Sequence, residues 1–149
     1  MMMFMQRRDL LQMGLALGST LIVRPAYATA AEMQDAIRGY ANGAPVRMGR
    51  VKLDVSPIVE NGNAVPITVS VESPMSAADH VTGIAVFNDR NPERNMVKFV
   101  LGPRSGRAEV STRIRLATSQ QLAAVALMSD GSCWLHTVDV LVTLSACLE

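Results

Sequence analysis

Histidine and cysteine are scarce in this 149-residue chain, with two of each: His80 and His136, Cys133 and Cys147. The histidines stand at no metal-ligand spacing from each other or from either cysteine, so no metal site is expected. Neither histidine comes with a serine in a recognisable catalytic context, which argues against a Ser-His-Asp hydrolase. Charge of one sign is also lacking. The chain carries 14 Lys and Arg against 13 Asp and Glu, too even a balance for a nucleic-acid partner, which would call for a strongly basic face. The run Gly102-Pro103-Arg104-Ser105-Gly106 lacks the Gly-Lys-Ser/Thr ending of a phosphate loop and reads as a strand connection. There is no internal repeat and no low-complexity tract.

A long apolar span is missing too. The stretch from Leu10 to Val23 is interrupted by Gly14, Gly18, Ser19 and Thr20, short of the roughly 18–20 continuous residues a membrane anchor needs. Its surroundings have the order of an export signal: Arg7 and Arg8 first, the apolar middle next, and small residues at Ala26 and Ala28. The adjacent arginines leading into Asp9-Leu10-Leu11 resemble the twin-arginine type, with Gln6 where Ser or Thr is usual. Cleavage after Ala28 is expected, with periplasmic localisation of the mature chain. Residues 29–149 then carry 11 basic and 12 acidic side chains on 121 residues, enough to bury one core and too few for two ordinary domains.

From Ala30 to Asn42 the apolar residues Met33, Ile37 and Tyr40 recur at helical spacing, and Gly39 and Gly43 mark the end. After Pro45 the period becomes two. Ile67, Val69 and Val71 alternate with Thr68, Ser70 and Glu72, and Ala108, Val110, Ile114 and Leu116 alternate with Arg107, Glu109, Arg113 and Arg115. Turn signals at Asn61-Gly62-Asn63, Ser73-Pro74, Asn91-Pro92, Gly102–Gly106, Thr118-Ser119-Gln120 and Asp130-Gly131 separate the runs. Seven strands are predicted, near 50–55, 65–72, 81–88, 96–101, 107–116, 121–128 and 133–146. The fold class is therefore all-β: an immunoglobulin-like seven-stranded β-sandwich preceded by a short helix, without the Cys-Trp-Cys arrangement of antibody domains.

The last strand carries the candidate chemistry. Across Asp139–Cys147 the even positions are apolar and the odd ones include Asp139, Thr143 and Ser145, so the alternation puts Cys147 on the outward face. An exposed thiol two residues from the end departs from the burial habit of cysteine. The bland alternative is an inert residue at a frayed strand end; the functional one is a reactive or carrier thiol, which near a reference pKa of about 8.5 is partly ionised at neutral pH and needs access rather than a base. Cys133 follows the Asp130-Gly131 hairpin turn. A straight strand would separate it from Cys147 by about 45 Å, beyond disulfide reach, and it reads as a packed residue with Trp134 beside it in the apolar layer. Arg113 and Arg115 share a strand face with Arg107 nearby, a row able to meet an acidic partner, a sulfonate or only water.

Several of these runs together resemble one family. They are Gly62–Met75, Ile84-Ala85-Val86-Phe87 before Asn91-Pro92, Ser105–Ala108, Ser111–Leu116 and Met128–Trp134, and with the leader and helix they make the chain similar to SoxY proteins over nearly its whole length. The resemblance implies a cofactor-free carrier, not itself an enzyme, that pairs with a SoxZ-like subunit and holds sulfur intermediates of thiosulfate oxidation for Sox pathway enzymes. The implied carrier position is Cys147. Where the family usually ends in Gly-Gly-Cys-Gly-Gly, this chain reads Ser145-Ala146-Cys147-Leu148-Glu149, a thicker and stiffer segment. Glu149 adds a like charge that disfavours the thiolate. Two alternatives from other classes accompany this reading: a β-sandwich interaction module that carries nothing, and a dimer joined through Cys147.

Overall fold

The structure is a computed structural model and describes residues 29–144. The leader with Arg7, Arg8 and the expected cleavage after Ala28 lies outside the described residues, as do Ser145–Glu149 with Cys147. Helix α1 (Ala30–Tyr40) opens on a capping box: the Thr29 hydroxyl accepts the Glu32 N–H at 3.3 Å and the Glu32 carboxylate accepts the Thr29 N–H at 2.8 Å. Met33 and Ile37, four apart and therefore on one face, are its buried residues.

Nine strands come after the helix: β1 (Val46–Met48), β2 (Val51–Asp54), β3 (Ile58–Val59), β4 (Val65–Val71), β5 (Val81–Asn88), β6 (Asn95–Val100), β7 (Glu109–Ile114), β8 (Gln120–Met128) and β9 (Cys133–Val142). All seven expected strands are present. The two additions, β1 and β3, are three and two residues long, too short to leave a period in the sequence. One sheet runs β1-β9-β8-β5-β6, with β3 also on β9; the other runs β2-β4-β7. The chain leaves the larger sheet after β6, crosses to β7 and returns at β8, the exchange that makes an immunoglobulin-like sandwich.

Two apolar layers hold it together. Ile84 and Val86 of β5 and Leu122, Ala124 and Ala126 of β8 face the second sheet, where Val65, Ile67, Val69 and Ile114 meet them. Their neighbours Ala85, Phe87, Ala123 and Val125 face outward and are covered by Met33, Ile37 and Ala41 of the helix segment. Central strands β5 and β8 are thus buried on both faces, which is why they read as near-continuous apolar runs. Small alanines beneath the helix allow it to approach closely. Cys133 belongs to this helix-covered layer, whereas Trp134 packs on the sandwich side. The expectation that the two share a layer is corrected by strand alternation, which sends successive side chains to opposite faces.

The β8–β9 hairpin turns at Asp130-Gly131, with Gly131 at φ 84° and its N–H donating to Met128 O at 3.0 Å. The positive φ is what glycine supplies there. Pairing then runs from Leu127↔Cys133 to Gln120↔Val140, and this register decides where every later residue of the chain leaves the sheet.

Candidate functional site

Strand β9 meets three different environments along its length. At its start Cys133 is fully buried beneath the helix, and burial pushes its thiol pKa up. In the middle, His136 faces the sandwich, and its Nδ1 accepts the Leu53 N–H at 3.0 Å, tying β9 to β2 of the other sheet. That hydrogen bond makes His136 a structural acceptor with a fixed tautomer. Toward the end, Asp139 and Leu141 are exposed while Val140 and Val142 remain buried, the alternation that the sequence predicts. It stops there. Leu144 occupies an even position yet is 62% exposed, because the sandwich ends beneath Val142.

The backbone of this end is clamped from both edges. On one side Leu141 N donates to Pro57 O at 2.8 Å, Thr143 N to Val59 O at 2.9 Å and Leu144 N to Glu60 O at 3.1 Å. Gly62 N returns a bond to Leu144 O at 3.0 Å, and Gly62 O accepts from Leu116 N at 2.8 Å. On the other side the Ser119 hydroxyl accepts the Val142 N–H at 2.8 Å. Neither β3 nor Ser119 was legible as part of the site: a two-residue strand has no periodicity, and a serine in a turn cluster reads as a turn.

Cys147 itself lies outside the described residues, and covalent geometry bounds its distance from the clamp. Cys147 lies three residues past Leu144, so its Cα is at most about 11 Å from the last clamped Cα. Eleven residues of extended chain separate Cys133 from Leu144, about 36 Å at strand rise. A disulfide needs Cα atoms within about 7 Å, so no intramolecular Cys133–Cys147 bridge can close while β9 is formed.

The other residues singled out in the sequence are not gathered here. His80 sits in the β4–β5 connection, its Nδ1 3.0 Å from Ser76 O, and no group of three His, Cys, Asp or Glu among the described residues could hold a metal. Arg107, Arg113 and Arg115 are exposed along β7 and its ends, at the edge of the smaller sheet. Beside the end of β9 lies an open groove of about 540 Å3 bordered by Asp89, Arg90, Gln121, Asp139 and Leu141. Its charges are of both signs, and Asp139 is occupied by Gln121 Nε2 at 3.0 Å.

No curated protein matches the sequence. Among solved structures, the sulfur carrier protein SoxY from Chlorobium limicola f thiosulfatophilum is 27% identical, with a TM-score of 0.63 over 74% of this chain and 91% of that one. A superoxide reductase (neelaredoxin) from Ignicoccus hospitalis aligns at 15% identity and TM-score 0.56, covering 78% of this chain and 95% of that one. A putative superoxide reductase from Thermotoga maritima gives 19%, 0.54, 69% and 89%. The two reductases share the fold. The family model of the sulfur oxidation protein SoxY matches residues 38–147, from the last turn of α1 through all nine strands to Cys147 itself, and the chain belongs to the SoxY family.

Proposed function

We propose that this protein is a periplasmic carrier of sulfur compounds, acted on by partner enzymes, in which Cys147 holds the cargo covalently as one subunit of a SoxYZ-type heterodimer. The observation that carries the reading is the division of labour along β9. One cysteine is sealed beneath the helix, where burial pushes its thiol pKa up; the other comes three residues after Leu144, at the end of a segment pinned by backbone bonds on one edge and by the Ser119 hydroxyl on the other. Family membership supplies the chemistry to expect of the second.

Loading joins the Cys147 sulfur to the sulfane sulfur of thiosulfate. The thiol proton and two electrons leave, the electrons passing to the oxidising partner enzyme, and a cysteine S-thiosulfonate remains. The carrier itself needs only an accessible, partly ionised thiol. The twin-arginine-type leader, Arg7-Arg8 onward, supports export of an already folded protein, together with a leaderless SoxZ-like subunit.

Incubation with thiosulfate and the oxidising partner system, followed by intact-mass measurement, tests this directly. The wild type should gain one adduct, Cys147→Ser none, and Cys133→Ser should load as the wild type does. Replacing Ser145, Ala146, Leu148 and Glu149 by glycine should speed loading, since glycine removes side-chain width and backbone restriction around the thiol. Absence of an adduct on both wild type and glycine variant, across sulfur substrates, would refute carriage and leave an interaction module.

A further inference from the structure

The charge of this protein is divided along the chain in a way its total conceals. Residues 89–115 hold seven basic and three acidic side chains, a balance of +4; the rest of 29–149 holds four basic and nine acidic, a balance of −5. The basic segment is β6, β7 and the turns at their ends. Each of these strands pairs on one side only, β6 with β5 and β7 with β4, so each leaves a free edge. The two edges border one groove of about 370 Å3, lined by Met96 and Val97 from β6, by Arg113 and Ile114 from β7, by Arg115 just past it and, at one end, by Glu93 before β6.

Two features separate this edge from an ordinary solvated face. Of the seven basic residues only Arg94 reaches a carboxylate among the described residues, Glu32 at 3.5 Å. In addition, Val100 is 94% exposed at the end of β6, a large apolar side chain left on a strand that is paired on one side only. Free edges normally carry some device against pairing. Here β6 has no proline, and its devices are one lysine, Lys98, and a register shift against β5 at Val86/Phe87, which leave the stretch from Val97 to Val100 regular.

We propose that the β6–β7 edge docks another protein by strand addition, the incoming extended segment carrying acidic side chains. Free backbone groups of β6 supply the ladder, the apolar groove takes alternate side chains, and the arginine rim selects for negative charge and speeds encounter. A second copy does not fit this chemistry, because none of the chain's own edge strands is net acidic. Strand β1 carries Arg47, β2 balances Lys52 with Asp54, β3 is uncharged and β7 balances Glu109 with Arg113. The proposal is independent of the cargo on Cys147.

The test uses the intact chain, isotope-labelled, titrated with a blocked heptapeptide of alternating valine and glutamate. Backbone amide shifts should move at residues 95–100 and 112–115, and binding should weaken with salt. The R113E/R115E variant should bind roughly tenfold more weakly with an unchanged melting temperature, because each lost charge contact counts for a factor of a few. Any of four results would overturn the proposal: no shifts at this edge, equal binding of a valine–lysine peptide, the same shifts from sodium sulfate alone, or self-association of the chain through β6. Loss of sulfur loading in Cys147→Ser with peptide binding intact would separate this surface from the carrier chemistry.

Discussion

Asn91 is the polar residue on which the lower end of the sandwich depends, and Asn91→Ala should be among the most damaging changes outside the apolar core. Its side chain joins two loops: Nδ2 donates to Arg115 O at 2.7 Å, and Oδ1 accepts from Ala117 N and from Gln120 Nε2, both at 2.9 Å. Asn91 is 9% exposed and Gln120 6%. Gln120 Oε1 is already without a hydrogen-bond partner in the protein, so little spare pairing exists to absorb the loss. Three bonds at about 1 kcal/mol each, with the abandoned groups only partly reached by water, put the cost at about 2–4 kcal/mol. That is a large share of the roughly 5–15 kcal/mol that holds a typical domain together. Urea titration followed by fluorescence of Trp134, the sole tryptophan, should show the midpoint falling with the slope unchanged. Asn61→Ala is the control, since that exposed side chain bonds only within its own turn, to the Asn63 backbone and amide. Equal midpoints for the two variants would refute the argument that burial, rather than the asparagine–backbone bond as such, sets the cost.

In a Tyr27→Phe chain, where Tyr40 is the only tyrosine, ultraviolet titration should place its ionisation at about 12 in the folded protein and near 10 in urea, because burial first and the Cys133 thiol second disfavour the phenolate. The raised value means its stabilising contribution is complete below pH about 10 and disappears as pH approaches 12; a native midpoint near 10 would contradict the packing of Tyr40 against Phe87. Cys133 in a Cys147→Ser background should resist a water-soluble thiol reagent until the chain is unfolded, and rapid labelling of native protein at about pH 8 would place it outside the helix-covered layer.

The alternating strands were legible because one face is wet. Strand β4 reads Val65, Ile67, Val69, Val71 inward with Pro66, Thr68 and Ser70 between, and β7 and the end of β9 obey the same rule. In β5 and β8 the turn residues at each end fixed the limits instead, since burial on both faces erases the period. The layer of Cys133 was not legible. Its parity is that of Asp139 and Leu141, exposed positions on the same strand, and only the placement of α1 over the hairpin end converts an outward position into a buried one. Strands β1 and β3 were missed for want of length. The candidate thiol was singled out from parity and family likeness, whereas one edge of the clamp before it is made of backbone atoms of Pro57, Val59, Glu60 and Gly62, which leave no side-chain signature to read, and the other rests on Ser119, which reads as a turn residue.

That clamp also separates the fold from the sequence that follows it. Register in β9 is overdetermined: slipping by one residue would bring Cys133 and Leu135 into the sandwich and send Trp134, His136 and Val140 to the outer face, breaking the His136–Leu53 bond as well. The exit point of the chain therefore stays at Leu144 for any sequence beyond it. Val142 is the last buried side chain among the described residues, and Thr143 and Leu144 are exposed, held by main-chain bonds that any residue but proline can make. If Cys147 carries the cargo as proposed, the absence of glycines around it should show in the loading rate and not in stability, because the fold and the direction of β9 are set at or before Leu144.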